Sequence, residues 1–443
     1  MKKALEKIVE FGLYLYIFLL PLQTRWIWRE DFLNGQYWEY GSLSLYATDV
    51  LFILIVLVSL FVFPKIRDSR CLTRMSVIIG AFFLISFTSI FWSVNNTISW
   101  FATSRLLMGI LLFWLLVCSK LQWERINTAL VSAGVIQAIL GIYQFFTQHV
   151  VANKYFGMAA HSPDVLGESV VETVGGRFLR AYGSFPHPNI LAGFLVVCMV
   201  IIIGYLFKAY RNRSKNIVGI LFAVTSFVIL CYGLILTFSR AAWIVLVLAL
   251  LILFIVSLWH RDQYRLRILA PVVLWIALIA AFSIYLLPDL WQTRLMGGRL
   301  EEKSRVERIS LYKSAFQIIG DEWHRGVGIG AYTQALYNQD DSYDVWEYQP
   351  VHNIFVLVTA ETGVFGGLMF IFLVVEFFRA SFWKHWRRLV TTSWFAAYSI
   401  SFIALLMIGL FDHYLWSVAS GIMLFWLVLG LWARRYWYFY VDK

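Results

Sequence analysis

The chain has 443 residues, of which 60% are hydrophobic, 18% aromatic and 14% charged. A soluble domain carries about 25% charged residues, so soluble enzymes and disordered chains are excluded, and four Cys are too few for a disulfide-built secreted scaffold. In a membrane protein the net charge of +11 belongs to cytoplasmic loops rich in Lys and Arg rather than to nucleic-acid binding.

A membrane helix needs about 20 mostly apolar residues. Twelve runs qualify: 7–23, 47–63, 74–92, 101–119, 126–147, 188–207, 216–237, 241–259, 268–287, 352–378, 392–411 and 413–433. The first run resembles a signal peptide but lacks a small-x-small cleavage site, so it reads as a span. Asp412 and His413 alone divide the last two. The expectation is an all-α polytopic protein with a single transmembrane domain over 1–443.

Orientation follows from the basic residues. With the N-terminus in the cytoplasm, Lys65, Arg67, Arg70 and Arg74 fall inside, as do Lys208, Arg211, Arg213 and Lys215, and then Arg379, Lys384, Arg387 and Arg388. Inside segments hold 23 Lys and Arg against 14 outside, so both termini are expected in the cytoplasm. Cys71 falls in a cytoplasmic loop and Cys118, Cys198 and Cys231 in spans, so no disulfide is expected.

Two outside loops are long: 148–187, and 288–351 between spans 9 and 10. Loops of this length are usually functional or disordered. In the second, Val306, Ile309, Tyr312, Phe316 and Ile319 recur every three or four residues beside Arg305, Arg308 and Lys313. That spacing predicts an amphipathic helix suited to the outer membrane surface. A glycine-rich turn follows at Gly326–Leu336. The chain shows no internal repeat.

Charged residues at span ends are the functional candidates. Arg240 lies in the short break Thr237–Ala241, at the start of a helix, where the dipole disfavours a cation. A bound anion resolves that conflict, since helix N–H groups and a guanidinium converge on phosphate; a snorkelling interfacial Arg is the plain alternative. Arg180 precedes Gly183-Ser184-Phe185-Pro186-His187-Pro188-Asn189, where Pro188 and Asn189 read as a helix start. Arg105, Arg305 and His187 are weaker candidates near the outer face. His352 opens a span, where the dipole keeps an imidazole neutral and able to act as a general base. Glu361 falls on the opposite face of a straight helix from His352 and reads as structural. Asp340, Asp341 and Asp344, and Glu30 with Asp31, are acidic pairs and triples that read as solvated more readily than as cation ligands. No P-loop, dinucleotide fingerprint, nucleophile elbow or HExxH is present.

Taken in order, these residues resemble a family. RAYGSFPHPNILAG at Arg180–Gly193 is similar to an Arg…Gly-x-Phe-x-x-Pro-Asn-x-x-Ala motif. TFSRAAW resembles a Ser-Arg-small-small motif. RGVGIGAY and VHNIFVLVTAETGVFGG resemble Gly-x-Gly and His-Asn…Glu-x-Gly motifs. The order, with a large outside loop before the His, resembles the O-antigen ligase family over about residues 180–380; His324-Arg325 departs from the usual His-Pro. The resemblance implies a GT-C-like membrane glycosyltransferase at the outer face of the bacterial cytoplasmic membrane, without cofactor or metal. It implies a glycan donor linked to undecaprenyl diphosphate, with Arg180 and Arg240 on the diphosphate, Arg305 as a third contact, His352 as base, and Glu361 and Asn353 in support. Ligase, polymerase and protein O-oligosaccharyltransferase differ in acceptor, so a saccharide, lipid or protein hydroxyl all stand at this point. A lipid-linked oligosaccharide flippase or other multi-span transporter is the alternative; such proteins commonly carry internal repeats and midplane sites. A non-catalytic scaffold leaves Arg240 and His352 without a role.

Single cysteines placed near positions 165 and 340 should react with an impermeant thiol reagent from outside, and one near 212 should not. Reversed labelling overturns the orientation.

Overall fold

The computed structural model describes residues 2–62, 70–383 and 392–441. Lys65, Arg67, Lys384, Arg387 and Arg388 lie outside the described residues. Among the described residues, eight helices are long and apolar enough to cross a membrane. They are Thr73–Trp92, α4 (Asn96–Cys118), α5 (Trp123–Thr147), α6 (Pro188–Arg211), α7 (Ile217–Leu236), α8 (Arg240–Trp259), α9 (Gln263–Leu286) and Ile354–Phe382, whose α-helical part is α13 (Ile354–Phe378). Thr73–Trp92 includes most of α3 (Arg70–Thr88).

The other four expected spans are helical but shorter or more polar. α1 (Lys2–Leu19) carries Lys2, Lys3, Glu6, Lys7 and Glu10. α2 (Ala47–Ser59) has 13 residues and α14 (Ser393–Gly409) has 17. The expected span at 413–433 is not one helix. It begins as a single turn, α15 (Tyr414–Ser417), breaks at extended Val418, and continues as α16 (Ala419–Val441). The break lets Asp412 and His413 turn into the protein, where both are buried.

α6 is the central helix and the most buried of the eight. Its sequence is apolar on every face, as a helix enclosed by other helices requires. Small residues let its neighbours approach: Gly204 meets Ala397 and Ser393 of α14, and Gly193 meets Tyr414. α9 is the least buried and leaves Val273, Leu274, Leu278 and Phe282 exposed, as a lipid-facing helix does.

The segments expected outside gather at one end. Gln23 and Thr24 bond the backbone of Phe156 and Tyr155. Asn34 reaches Asp341, and Val94 N–H donates to Val327. Three two-stranded ribbons, absent from the all-helical expectation, stiffen this end. They pair β1 (Arg25–Arg29) with β4 (Leu43–Tyr46), β2 (Phe32–Leu33) with β3 (Gln36–Tyr37), and β5 (Val170–Thr173) with β6 (Gly176–Leu179). Strands this short leave too little alternation to read from sequence.

The large loop folds as α10 (Pro288–Met296), α11 (Arg299–Asp321) and α12 (Tyr332–Gln339). α11 is the expected amphipathic helix with a second apolar face. Ala315 and Ile318 are buried, while Val306, Ile309 and Phe316 remain exposed on the face expected to meet the membrane. After α11 the chain lies along α13 where that helix is broken. Gly363 has φ 71°, so the helix interrupts there. Val327 and Gly328 N–H donate to the freed carbonyls of Ala360 and Glu361, at 3.0 and 2.9 Å, and Val364 N–H donates to Trp323 O at 2.8 Å. The Gly-x-Gly and Glu-x-Gly motifs are two halves of this one backbone interface.

At Gly363 a Cβ would sit 2.6 Å from the His324 carbonyl oxygen, and φ is left-handed. Gly363→Ala should therefore destabilise the protein by more than the ~1–2 kcal/mol of the left-handed backbone alone. Thermal unfolding in detergent reads this, and an unchanged midpoint shows that the break does not need glycine.

Candidate functional site

The site begins at the α7–α8 hairpin. Phe238 takes φ 47°, a left-handed conformation that strains a bulky residue. Its ring holds it there, packed 6.0 Å from Phe145, 5.9 Å from Trp243 and 6.2 Å from Trp291. The turn presents two carbonyls to arginines: Arg180 Nε donates to Thr237 O at 2.6 Å, and Arg294 Nε donates to Phe238 O at 2.8 Å. Arg240 is exposed at the first position of α8. Arg180 is buried, and burial together with the nearby Arg294 holds its guanidinium down to about 9, with Arg240 adding repulsion. Arg294 and Arg240 thus act on Arg180 as like charges, and Asp412 acts on it as an opposite one.

Gln137 and Gln144 lie two turns apart on one face of α5 and hold the motif loop behind Arg180. Gln144 Oε1 accepts from Gly183 N at 2.8 Å, and Gln137 Oε1 accepts from Ser184 N at 2.7 Å. Ser169 Oγ and Asn189 Oδ1 accept from the two Arg180 Nη groups at 2.6 and 2.8 Å. Asn189 turns its amide nitrogen the other way and donates to Asp412 Oδ2 at 2.9 Å.

Asp412 is the centre of a second group. It interacts electrostatically with His187, His352 and His413. His187 caps α6, its Nδ1 accepting from Asn189 N at 3.1 Å. His413 meets Ser417 Oγ through Nδ1 at 2.7 Å, and its ring lies edge-on to that of His352 at 5.1 Å. His352 stands one residue before the cap of α13, where Asn353 Oδ1 accepts from Phe355 N at 2.9 Å and Val356 N at 3.3 Å. Burial pushes the imidazoles of His187 and His352 down to about 3, with Arg180 adding to the effect at His187 and His413 at His352; Asp412 opposes the shift in both. The main cause at His352 is burial, whereas the sequence expectation rested on the helix dipole.

A cavity of about 530 Å³ joins these histidines to Asn189 and Asp412. Glu361 lines the same cavity as His352, although helical phase puts them on opposite faces. His352 precedes the helix, so its phase does not apply. Glu361 Oε2 accepts from Gly330 N at 2.8 Å and Trp416 Nε1 at 2.7 Å, which fixes the glycine loop.

Other candidates have structural partners. Arg105 is ion-paired to buried Asp49 at 2.5 Å and lies over the rings of Tyr46 and Phe101. Arg305 is exposed and paired with Glu302 at 2.6 Å. Its neighbour Arg308, two turns before buried Ala315, is the α11 arginine that acts electrostatically on His352 and His413. Asp340 Oδ1 is engaged by Ser342, and Asp344 forms a capping box with Glu347. Arg294, Arg308, Asn189, Asp412 and His413 were not singled out from sequence as site residues. A signal did exist for Arg308, in its alignment with the small residue Ala315.

These features define a polytopic helical membrane protein with a cationic hairpin and a buried histidine cluster at one end of the bundle. Residues 225–371, about a third of the chain, match the family model described as O-antigen ligase, the family that its motifs resemble. The match spans the Arg240 hairpin, the large loop, His352 and Glu361. No curated protein gives a significant match to the chain.

Because the folded pKa of His352 lies below the ordinary 6.5, its ring should stay neutral as pH falls through 6 to 5. Nitrogen shifts of histidine-labelled protein read this. A ring titrating near 6.5 shows that the cluster is not desolvated.

Proposed function

We propose that the protein transfers a glycan from an undecaprenyl-diphosphate-linked donor to an acceptor hydroxyl at the outer face of the bacterial cytoplasmic membrane, without a metal. The O-antigen ligase match supports the class of reaction. The observation that carries the mechanism is the continuous contact Arg180–Asn189–Asp412, which ties the hairpin arginines to the histidine cluster.

In this reading the donor diphosphate lies at Arg180 and Arg240, with Arg294 beside them. The acceptor oxygen forms a bond to the anomeric carbon as the bond from that carbon to the diphosphate oxygen breaks. The electron pair leaves with the diphosphate, and His352 takes the acceptor proton. Negative charge grows on the leaving group, so fixed guanidinium groups stabilise the transition state more than the ground state. Arg308 replaces Arg305 as the α11 contact, since Arg305 is held by Glu302 and Arg308 acts on the histidines. Asn353 positions His352 by capping α13, and Glu361 anchors the glycine loop that walls the cavity.

Purified protein with a lipid-linked glycan, scored for transfer and for release of the diphosphate carrier, tests the proposal. Arg240→Lys should lose most activity, because an ammonium cannot reproduce the planar two-point fork. Full activity in the Lys variant sinks diphosphate binding and favours a snorkelling role. His352→Ala should lower turnover by about 10²–10⁴-fold with donor affinity largely kept. Lost affinity with unchanged turnover makes His352 a binding residue. Transfer should persist in a chelator.

A further inference from the structure

A second cavity lies at the other end of the bundle. α6 and α8 both start at the candidate site, at Pro188 and Arg240, and both run away from it. α6 ends at Arg211, about 35 Å along its axis, and α8 ends at Trp259. Beside these two ends a cavity of about 430 Å³ has Arg211, Arg261, Asp262, Tyr264 and Arg267 in its lining. It shares no residue with the cavity of the histidine cluster.

The chain turns sharply here. Arg261 N–H donates to Leu258 O at 3.0 Å, and Asp262 N–H donates to Ser257 O at 2.8 Å. That pair of bonds closes a helix through a left-handed residue, a place ordinarily taken by glycine. In this turn the residue is Arg261, with φ 51°. A guanidinium thus stands where the backbone disfavours any side chain. One residue later Asp262 caps α9. Its Oδ1 accepts from Arg265 N at 3.2 Å, and its Oδ2 lies 3.4 Å from Arg265 Nε. Among the described residues it is the one carboxylate that lines the cavity, and it is committed to Arg265. Arg267, one turn into α9, engages the neutral Tyr210 hydroxyl. Neither Arg261 nor Arg267 has an ion-pair partner among the described residues. Arg211 adds a further positive charge, felt by Arg265 as a like one.

The helices that frame this cavity carry apolar side chains away from it. Phe254, Ile255 and Leu258 on α8 are exposed, as are Val273 and Leu274 on α9. We propose that the cavity binds the headgroup of an anionic phospholipid, with its phosphate oxygens at Arg261 and Arg267 and its acyl chains along α8 and α9. Guanidinium forks match phosphate oxygens, and basic cavities between helices at a membrane surface suit such headgroups. The N–H groups at the start of α9 favour the same charge. A zwitterionic headgroup brings its own cation and leaves the arginines less well matched. A free phosphate leaves the apolar faces unused. None of this depends on the transfer reading, which concerns the opposite end of the bundle.

The test measures lipid binding and unfolding. Full-length protein is placed in phosphatidylcholine nanodiscs and phosphatidylglycerol is titrated in. The unfolding midpoint and the lipids retained in native mass spectrometry are read together. The midpoint should rise with phosphatidylglycerol, and the rise should shrink as salt increases. Arg261→Gly and Arg267→Gln should each weaken the apparent affinity for phosphatidylglycerol about tenfold. In phosphatidylcholine alone Arg261→Gly should unfold at the wild-type temperature or higher, because glycine takes the left-handed turn without strain. Lys215→Gln removes the same charge from the neighbouring α6–α7 connection without lining the cavity, and should leave the affinity unchanged. Unchanged affinity in both arginine variants overturns the site. An equal loss in Lys215→Gln also overturns it, in favour of diffuse surface charge. An equal rise of the midpoint with inorganic phosphate in place of phosphatidylglycerol overturns the lipid as occupant.

Discussion

The two polar contacts of Asn189 are the constraint on which the site depends. Its carbonyl oxygen accepts from Arg180 and its amide nitrogen donates to Asp412. A buried cation and a buried carboxylate are expensive to place in a helical membrane protein unless each is hydrogen-bonded. One neutral amide satisfies both and keeps them from collapsing into a direct ion pair. That separation matters chemically. A direct pair would neutralise the guanidinium and draw the carboxylate away from the imidazoles. The amide holds opposite charges in one network while leaving each committed to its own side.

The arginines that line the cavity are Arg25 and Arg105, apart from those at the hairpin. At the hairpin Arg240 and Arg294 act on Arg180, and strain at Phe238 is held by packed aromatic rings. Across the cavity, Arg25 and Arg105 are balanced by Glu39 and Asp49. Between them stand imidazoles kept neutral by burial. Desolvation strengthens each of these electrostatic preferences.

Much of this was legible in the sequence, and the rest failed for identifiable reasons. The apolar runs and the motif order located Arg180, Arg240, His352 and Glu361 because unusual residues at span ends stand out against lipid-facing ones. Asp412 and His413 read as a mere division between two helices, because sequence shows a break without showing which way it turns. Gln137 and Gln144 were hidden in an apolar span, since a polar side chain there declares a partner but not its identity. Arg305 and Arg308 lie one turn apart on a helix with two apolar faces. Periodicity identified the helix, but only the folded structure shows Arg305 paired with Glu302 and Arg308 acting on His352 and His413. Glu361 was placed by phase on the wrong side of His352 because the helix begins after His352.

The backbone interface between the glycine loop and the broken helix has a kinetic consequence. Three N–H groups on one side or the other, those of Val327, Gly328 and Val364, close it. Opening the loop strips partners from the carbonyls of buried Ala360 and Glu361, and each buried group left unpaired costs free energy. Separating the stretch from Trp323 to Gly330 from α13 should therefore be slower than any movement that leaves these three bonds intact.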